Sequence, residues 1–278
     1  MSSAEPAPVI LGLVTDLFFV APIEAAARAA GYRVQWVERD EAAGPETAPR
    51  TVGEPLTGRA GAFLRRVVEW QPALVLVDLS SALPWPEYVA ALKSSPATRR
   101  RPVLAFGPHV DLDLRARALD VGCDVVLAKS ALMRDLPGLI QKHARPVDLA
   151  ALETACLTPL SELARAGLAL FNQREFFEAH EALEHAWNAD AGPGRELYRA
   201  LLQVAVAYLQ IERGNYAGAV KMFLRVRQWL TPLPAVCRGV DVDQLRADAQ
   251  AAQAAVEALG PERLAEFDRA LLKPILWQ

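Results

Sequence analysis

The sequence predicts two folds in series, an α/β domain built on a parallel sheet and then an all-helical bundle. Three observations carry this. Five short apolar runs alternate with helical patterns across residues 8–145. After residue 150 the apolar runs stop while helical periodicity continues. A chain of 278 residues is long enough for two domains of ordinary size.

The runs are VILGLV (9–14), RVQWV (33–37), ALVLVDL (73–79), PVLAFG (102–107) and DVVLAK (124–129). Consecutive apolar, β-branched residues of this length read as strands buried on both faces. IEAAARAAG, AFLRRVVEW, EYVAALKSS and RARALDVG lie between them and read as helices, with RDLPGLIQKH as a last one carrying Pro137 in its first turn. Such alternation gives a parallel sheet with helices on both faces. The Pro/Gly/Thr-rich stretch from Glu41 to Gly58 reads as an enlarged loop. The domain spans 1–145 and a linker spans 146–157. The helical domain spans 158–278, with Thr158 as N-cap and Pro159 at the first helical position.

Composition excludes several classes. A net charge of −3 and a pI near 5.9 leave no electrostatic footprint for nucleic acid. Arg99-Arg100-Arg101 is the one basic run and reads as a solvated loop. No apolar stretch reaches the ~18–20 residues of a membrane span. The opening MSSAEPAP lacks the basic and apolar regions of a signal peptide. Cys123, Cys156 and Cys237 are odd in number, far apart and not at metal-ligand spacing, which fits a reducing compartment. The expectation is a cytoplasmic protein with neither nucleic acid nor membrane as partner.

The five β/α units and several phrases resemble response-regulator receiver domains. "LVLVDLS" puts Asp78 at the phosphoacceptor position, and "VLAKS" puts Lys129 at the lysine position. The resemblance implies a flavodoxin-like strand order 2-1-3-4-5 with its site at the carboxyl ends of the strands. It also implies an acidic pair for Mg²⁺ after the first strand and a hydroxyl residue ending the fourth. Here "LGLVTDLF" supplies Asp16 beside Thr15, and "VLAFGPH" supplies Gly107. With one carboxylate fewer, the Mg²⁺ cluster is weakened. Without the hydroxyl, nothing there bonds a phosphoryl group. This is the pattern of a pseudo-receiver, whose protein partner or second copy docks on the receiver-like domain.

"FFEAHEALEHAW" (176–187) concentrates histidine and glutamate on one helix. At about 100° per residue, Phe176, Ala179, Leu183, Ala186 and Trp187 form an apolar stripe. Glu178, Glu181 and His185 lie opposite it, and His180 and Glu184 flank it. His180 and His185 are five residues apart, about 140° around the helix, so one metal ion does not easily take both. In "RELYRALLQVAVAYLQIER" (195–213), Glu196, Arg199, Gln203 and Gln210 fall within about 60° on a helix otherwise apolar. A polar stripe on a buried helix needs partners. The expected arrangement is a polar seam of Glu178, Arg199, Gln203 and Gln210, with Arg199 paired to Glu181 or Glu184. Trp187, Tyr198, Tyr208 and Trp229 read as core.

The segments "FNQREFFEAHEALEHAW" and "GPGRELYRALLQVAVAYLQIERGNYAGAVKM" resemble the helical domain of unknown function 309 over about residues 160–230. That family is described as predicted metal-dependent hydrolases. Its members often carry a histidine where this chain has Gln210, and an amide is a poorer zinc ligand than imidazole. Two functions stay open. The first is a regulatory or binding protein whose receiver-like domain docks or dimerises. The second is a hydrolase at the seam between helices 174–188 and 195–213. Its catalytic candidates are His180, Glu181, Glu184 and Arg199, and His180, Glu181 and Glu184 are the candidate ligands of a divalent metal ion.

Overall fold

A computed structural model describes residues 7–37 and 56–278. Most of the Glu41–Gly58 loop and the first six residues lie outside the described residues. The chain divides into two compact units between Val147 and Asp148.

The first unit follows the order β1 (Val9–Leu13), α1 (Leu17–Ala29), β2 (Arg33–Trp36), α2 (Gly58–Trp70), β3 (Leu74–Asp78), α3 (Trp85–Ser94), β4 (Val103–Gly107), α4 (Leu112–Asp120), β5 (Val125–Ala128), α5 (Lys129–Arg134) and α6 (Leu136–His143). The strands pair in parallel in the order 2-1-3-4-5, the flavodoxin-like arrangement. Side chains alternate across the sheet, as the strand period of two requires. Leu11, Leu13, Val75, Val77, Val103 and Ala105 face a core closed by α2, α3 and α4. Ile10, Leu74, Leu76, Leu104 and Phe106 face a core closed by α1, α5 and α6. Burial on both faces holds for β1, β3 and β4, whereas β2 and β5 are sheet edges and only half-buried. Pro137 sits in the first turn of α6, where its missing N–H costs nothing. Arg101 departs from the solvated-loop expectation: it is half-buried, and its guanidinium donates to the side-chain oxygen of Gln71.

The second unit is helical: α7 (Leu149–Cys156), α8 (Glu162–Asn172), α9 (Phe176–Ala189), α10 (Arg195–Glu212), α11 (Tyr216–Leu230) and α12 (Val242–Leu259). A two-residue hairpin, β6 (Val236–Cys237) and β7 (Val240–Asp241), interrupts it before α12. Helix α10 is central, with Leu197, Tyr198, Leu201, Val204 and Tyr208 buried. Helices α8 and α9 pack closely at Gly167, where a Cβ would sit 2.7 Å from the Leu183 side chain.

Within the linker, residues 149–156 form α7, and its Leu152 and Cys156 join the helical core. Two expectations change here. The next helix starts at Glu162 with Ser161 as its cap, not at Thr158–Pro159. Tyr198 fixes this start, since its hydroxyl accepts the Ser161 N–H at 3.1 Å. Cys156 and Cys237, read as unlinked, are joined by a disulfide across 81 residues. The cysteines therefore do not argue for a reducing compartment. Arg238 follows that bridge, pairing with Asp190 at 2.7 Å and donating to the Tyr198 hydroxyl.

Candidate functional site

In the α/β unit the strands' carboxyl ends share one edge of the sheet. Asp78 ends β3 there and is 1% exposed. Its Oδ1 accepts the Ser80 N–H at 2.9 Å and lies 3.6 Å from Lys129 Nζ. Lys129 opens α5 directly after β5 and also rests over the Phe19 ring at 4.8 Å. Asp78 and Lys129 thus meet.

Asp16 does not join them as half of an acidic pair. It is exposed, and its carboxylate caps α1 by accepting the Phe18 N–H at 3.0 Å. Thr15 occupies the neighbouring position, with its hydroxyl 3.2 Å from that of Ser81. The donor set does not fit an Mg²⁺ site that needs two carboxylates beside the acceptor. At Gly107 a Cβ would come within 3.1 Å of the Leu79 Cβ, so the packing of Leu79 leaves tight room for a serine or threonine. Around this corner the β1–α1 and β4–α4 connections carry exposed apolar side chains. Leu17 is 81% exposed, and Phe18, Val110 and Leu112 are nearly as open.

The helical unit places its polar residues unequally. On α9, Glu178, Glu181, Glu184 and His185 are exposed, and His180 is half-buried. His180, Glu181 and Glu184 do not form a group able to hold one ion, and no group of three or more such ligands occurs among the described residues.

Several contacts of the α10 polar stripe are defined. Arg199 pairs with Glu196 at 3.6 Å, one turn earlier on the same helix. Its guanidinium lies 4.9 Å from the Trp187 ring centre on α9 and 3.8 Å from that of Trp229 on α11. Arg195 lies over the same Trp187 ring at 4.5 Å. Gln210 accepts from the Asn215 side chain at 2.7 Å, at the Gly214–Asn215 turn that caps α11. Gln203 is 7% exposed, and its Oε1 has no hydrogen-bond partner among the described residues. Stacking of this kind attracts a cation to the ring quadrupole, by about 0.5–2 kcal/mol per contact.

Sequence reasoning missed Arg195, Trp187 and Trp229 as parts of this cluster. Arg195, Arg199 and Gln203 recur every four residues, which was a usable signal. The indoles were not, because a tryptophan on an apolar stripe looks the same whether it fills a core or carries a cation.

The strand order and the Asp78–Lys129 corner define a receiver-type α/β unit joined to a helical one. Within the helical unit, residues 164–222 match the family model described as Domain of unknown function (DUF309). Solved structures similar to the α/β half include the phosphorylated cyanobacterial phytochrome response regulator RcpA. It is 21% identical with a TM-score of 0.37, covering 49% of this chain and 94% of that one. A response regulator from Thermotoga maritima is 17% identical, with a TM-score of 0.36 and coverages of 49% and 96%. The Mn²⁺-bound response regulator Rcp1 is 19% identical, with a TM-score of 0.37 and coverages of 50% and 96%. No curated protein matches the chain.

Proposed function

We propose that this is a regulatory or binding protein whose receiver-like unit docks or dimerises without a phosphoryl switch. The supporting observation is an apolar rim around a closed acidic corner. Asp78 is buried and already balanced by Lys129 and the Ser80 N–H, so a metal-assisted phosphoryl transfer lacks its second carboxylate and its hydroxyl. Leu17, Phe18, Val110 and Leu112 meanwhile stand open on both sides of β3. Large apolar side chains gathered on one edge mark an interaction surface more often than scattered ones do. None of the described helices is long and apolar enough to cross a membrane.

The docking partner is a second copy of this chain. Sedimentation velocity of the full chain across a concentration series tests this. The expected result is a reversible dimer that Phe18→Glu and Leu112→Glu dissociate while leaving the circular dichroism spectrum unchanged. A chain that stays monomeric, or a dimer indifferent to both substitutions, contradicts the self-association reading. The hydrolase alternative gains no support from the α9 side chains, whose acids are exposed and dispersed.

A further inference from the structure

The bridge between Cys156 and Cys237 joins two elements that are fastened to the helical core unequally. Helix α7 has eight residues, fewer than the ~12–15 that keep an isolated helix folded in water. Only Leu152 and Cys156 on it are buried. Its hydrogen bonds run within the helix, its Asp148 cap and the turn that follows, with one exception among the described residues. That exception lies at the bridge itself, where the Cys156 carbonyl accepts the Arg238 N–H at 2.7 Å. Leu157, directly after the helix, is 86% exposed.

The other end of the bridge has many holds. Cys237 is fully buried in β6, which pairs with β7. The turn between the two strands keeps Arg238 and Gly239 at positive φ, as two-residue hairpin turns do. Arg238 pairs with Asp190 and donates to the Tyr198 hydroxyl. The Asp241 N–H donates to the Leu276 carbonyl, and the Gly239 carbonyl accepts the Gln278 N–H. None of these contacts needs the sulfur–sulfur bond. Opening the bond therefore leaves the hairpin in place. It takes from α7 its covalent hold and leaves Leu152 to fasten a helix too short to persist alone.

We propose that Cys156 and Cys237 form a redox latch on α7: the disulfide docks the helix, and reduction by a dithiol releases it. The latch lies within the helical unit and does not depend on how the receiver-like unit docks. Cys156 is the sulfur to be attacked, because it ends a frayable helix while Cys237 is 0% exposed. A thiolate of the dithiol bonds to the Cys156 sulfur, the S–S bond breaks, and its electron pair leaves with Cys237. The second thiol then displaces Cys156, and the reductant departs as a disulfide. Two electrons enter the protein, and the two protons of the dithiol end on the two cysteines. The chain divides between Val147 and Asp148, so α7 is where it enters the helical unit. Release adds the residues of α7 to the connection between the units.

Hydrogen exchange of the full chain, read by mass spectrometry, tests the latch. Thiols counted after denaturation define the state: Cys123 alone in the oxidised protein, and all three cysteines after dithiothreitol is applied under native conditions. In the reduced protein the amides of residues 152–157 should exchange about tenfold faster or more, while those of α10 keep their protection. Cys237→Ser should show the same fast segment with no reductant present. The α10 amides report in each case whether the bundle is still folded. The proposal is overturned if the disulfide never forms, or if dithiothreitol opens it only in denaturant. It is overturned equally if the segment stays slow in the reduced protein or in Cys237→Ser. Acceleration of α10 together with the segment would also overturn it, since the bridge would then be a staple of the whole bundle.

Discussion

The two units bury charge in opposite ways. In the α/β unit the Asp78 carboxylate is met by a lysine and a backbone N–H, both hydrogen-bonding groups. In the helical unit the Arg199 guanidinium lies against the faces of two indoles, with the Glu196 carboxylate at 3.6 Å. The first solution engages the acid through one oxygen, Oδ1. The second sets the cation against ring faces. The same problem, a charge taken out of water, thus has a polar answer in one unit and an aromatic one in the other.

The largest expected effect separates the units before either site is touched. The Cys156–Cys237 bridge closes a loop of 81 residues wholly within the helical unit. Its loss should cost that unit on the order of 4 kcal/mol, from the chain entropy returned to the unfolded state. Thermal unfolding of Cys156→Ser should lower the helical transition and leave the α/β transition in place. A single transition that moves as a whole would show that the two units do not unfold independently.

Next comes the closed corner. Lys129→Met strands the Asp78 carboxylate in a buried position. It should destabilise the α/β unit by about 3 kcal/mol, the lower end for a broken buried pair because Lys129 is itself partly exposed. Asp78→Asn keeps an acceptor for the Ser80 N–H and should cost about 1 kcal/mol. Urea midpoints of the two variants in that order support the ion pair as the neutralising device. Equal midpoints would show the lysine to be dispensable.

The Arg199 cluster should respond less. Arg199→Met exchanges two cation–ring contacts for apolar packing and should cost about 1–2 kcal/mol. Glu184→Ala, on an exposed side chain, should change stability by less than about 0.5 kcal/mol. The ranking discriminates between partners for Arg199. If Glu184→Ala proves as damaging as Arg199→Met, and the two are not additive, then the acid and not the indoles balances the arginine.

The last effect appears only at alkaline pH and concerns a buried group outside both sites. Burial, and after it the neighbouring Asp124, pushes the Cys123 thiol from its ordinary value of 9.0 up to about 12. The folded pKa is raised, so the unfolded chain ionises first as pH climbs. The stability associated with this thiol is intact below about 9 and is lost as pH rises toward about 12. Cys123→Ala should flatten that alkaline decline in a pH series of urea midpoints. An unchanged slope would assign it to other groups.

Much of the fold was legible in the sequence because strand and helix periods are local. The five apolar runs became five strands, each shortened by a residue or two at its ends. The structure divides the chain between Val147 and Asp148. What failed was long-range. The disulfide links residues 81 positions apart, and the start of α8 is chosen by a tyrosine on α10. The polar stripe of α10 was visible on a helical wheel, but a wheel counts charges and cannot weigh a ring face as a partner. Asp78 and Lys129 could be named early because both end strands, and parallel strands bring their carboxyl ends to one edge.

The central claim is that the receiver-like corner holds its aspartate closed to phosphoryl transfer. The most direct measurement is the intact mass of the full chain after incubation with acetyl phosphate and Mg²⁺. Asp78 is buried against Lys129, Asp16 is committed to capping α1, and residue 107 is a glycine packed on Leu79. The account therefore predicts the unmodified mass. A substantial fraction heavier by one phosphoryl group, and absent from Asp78→Asn, would contradict it.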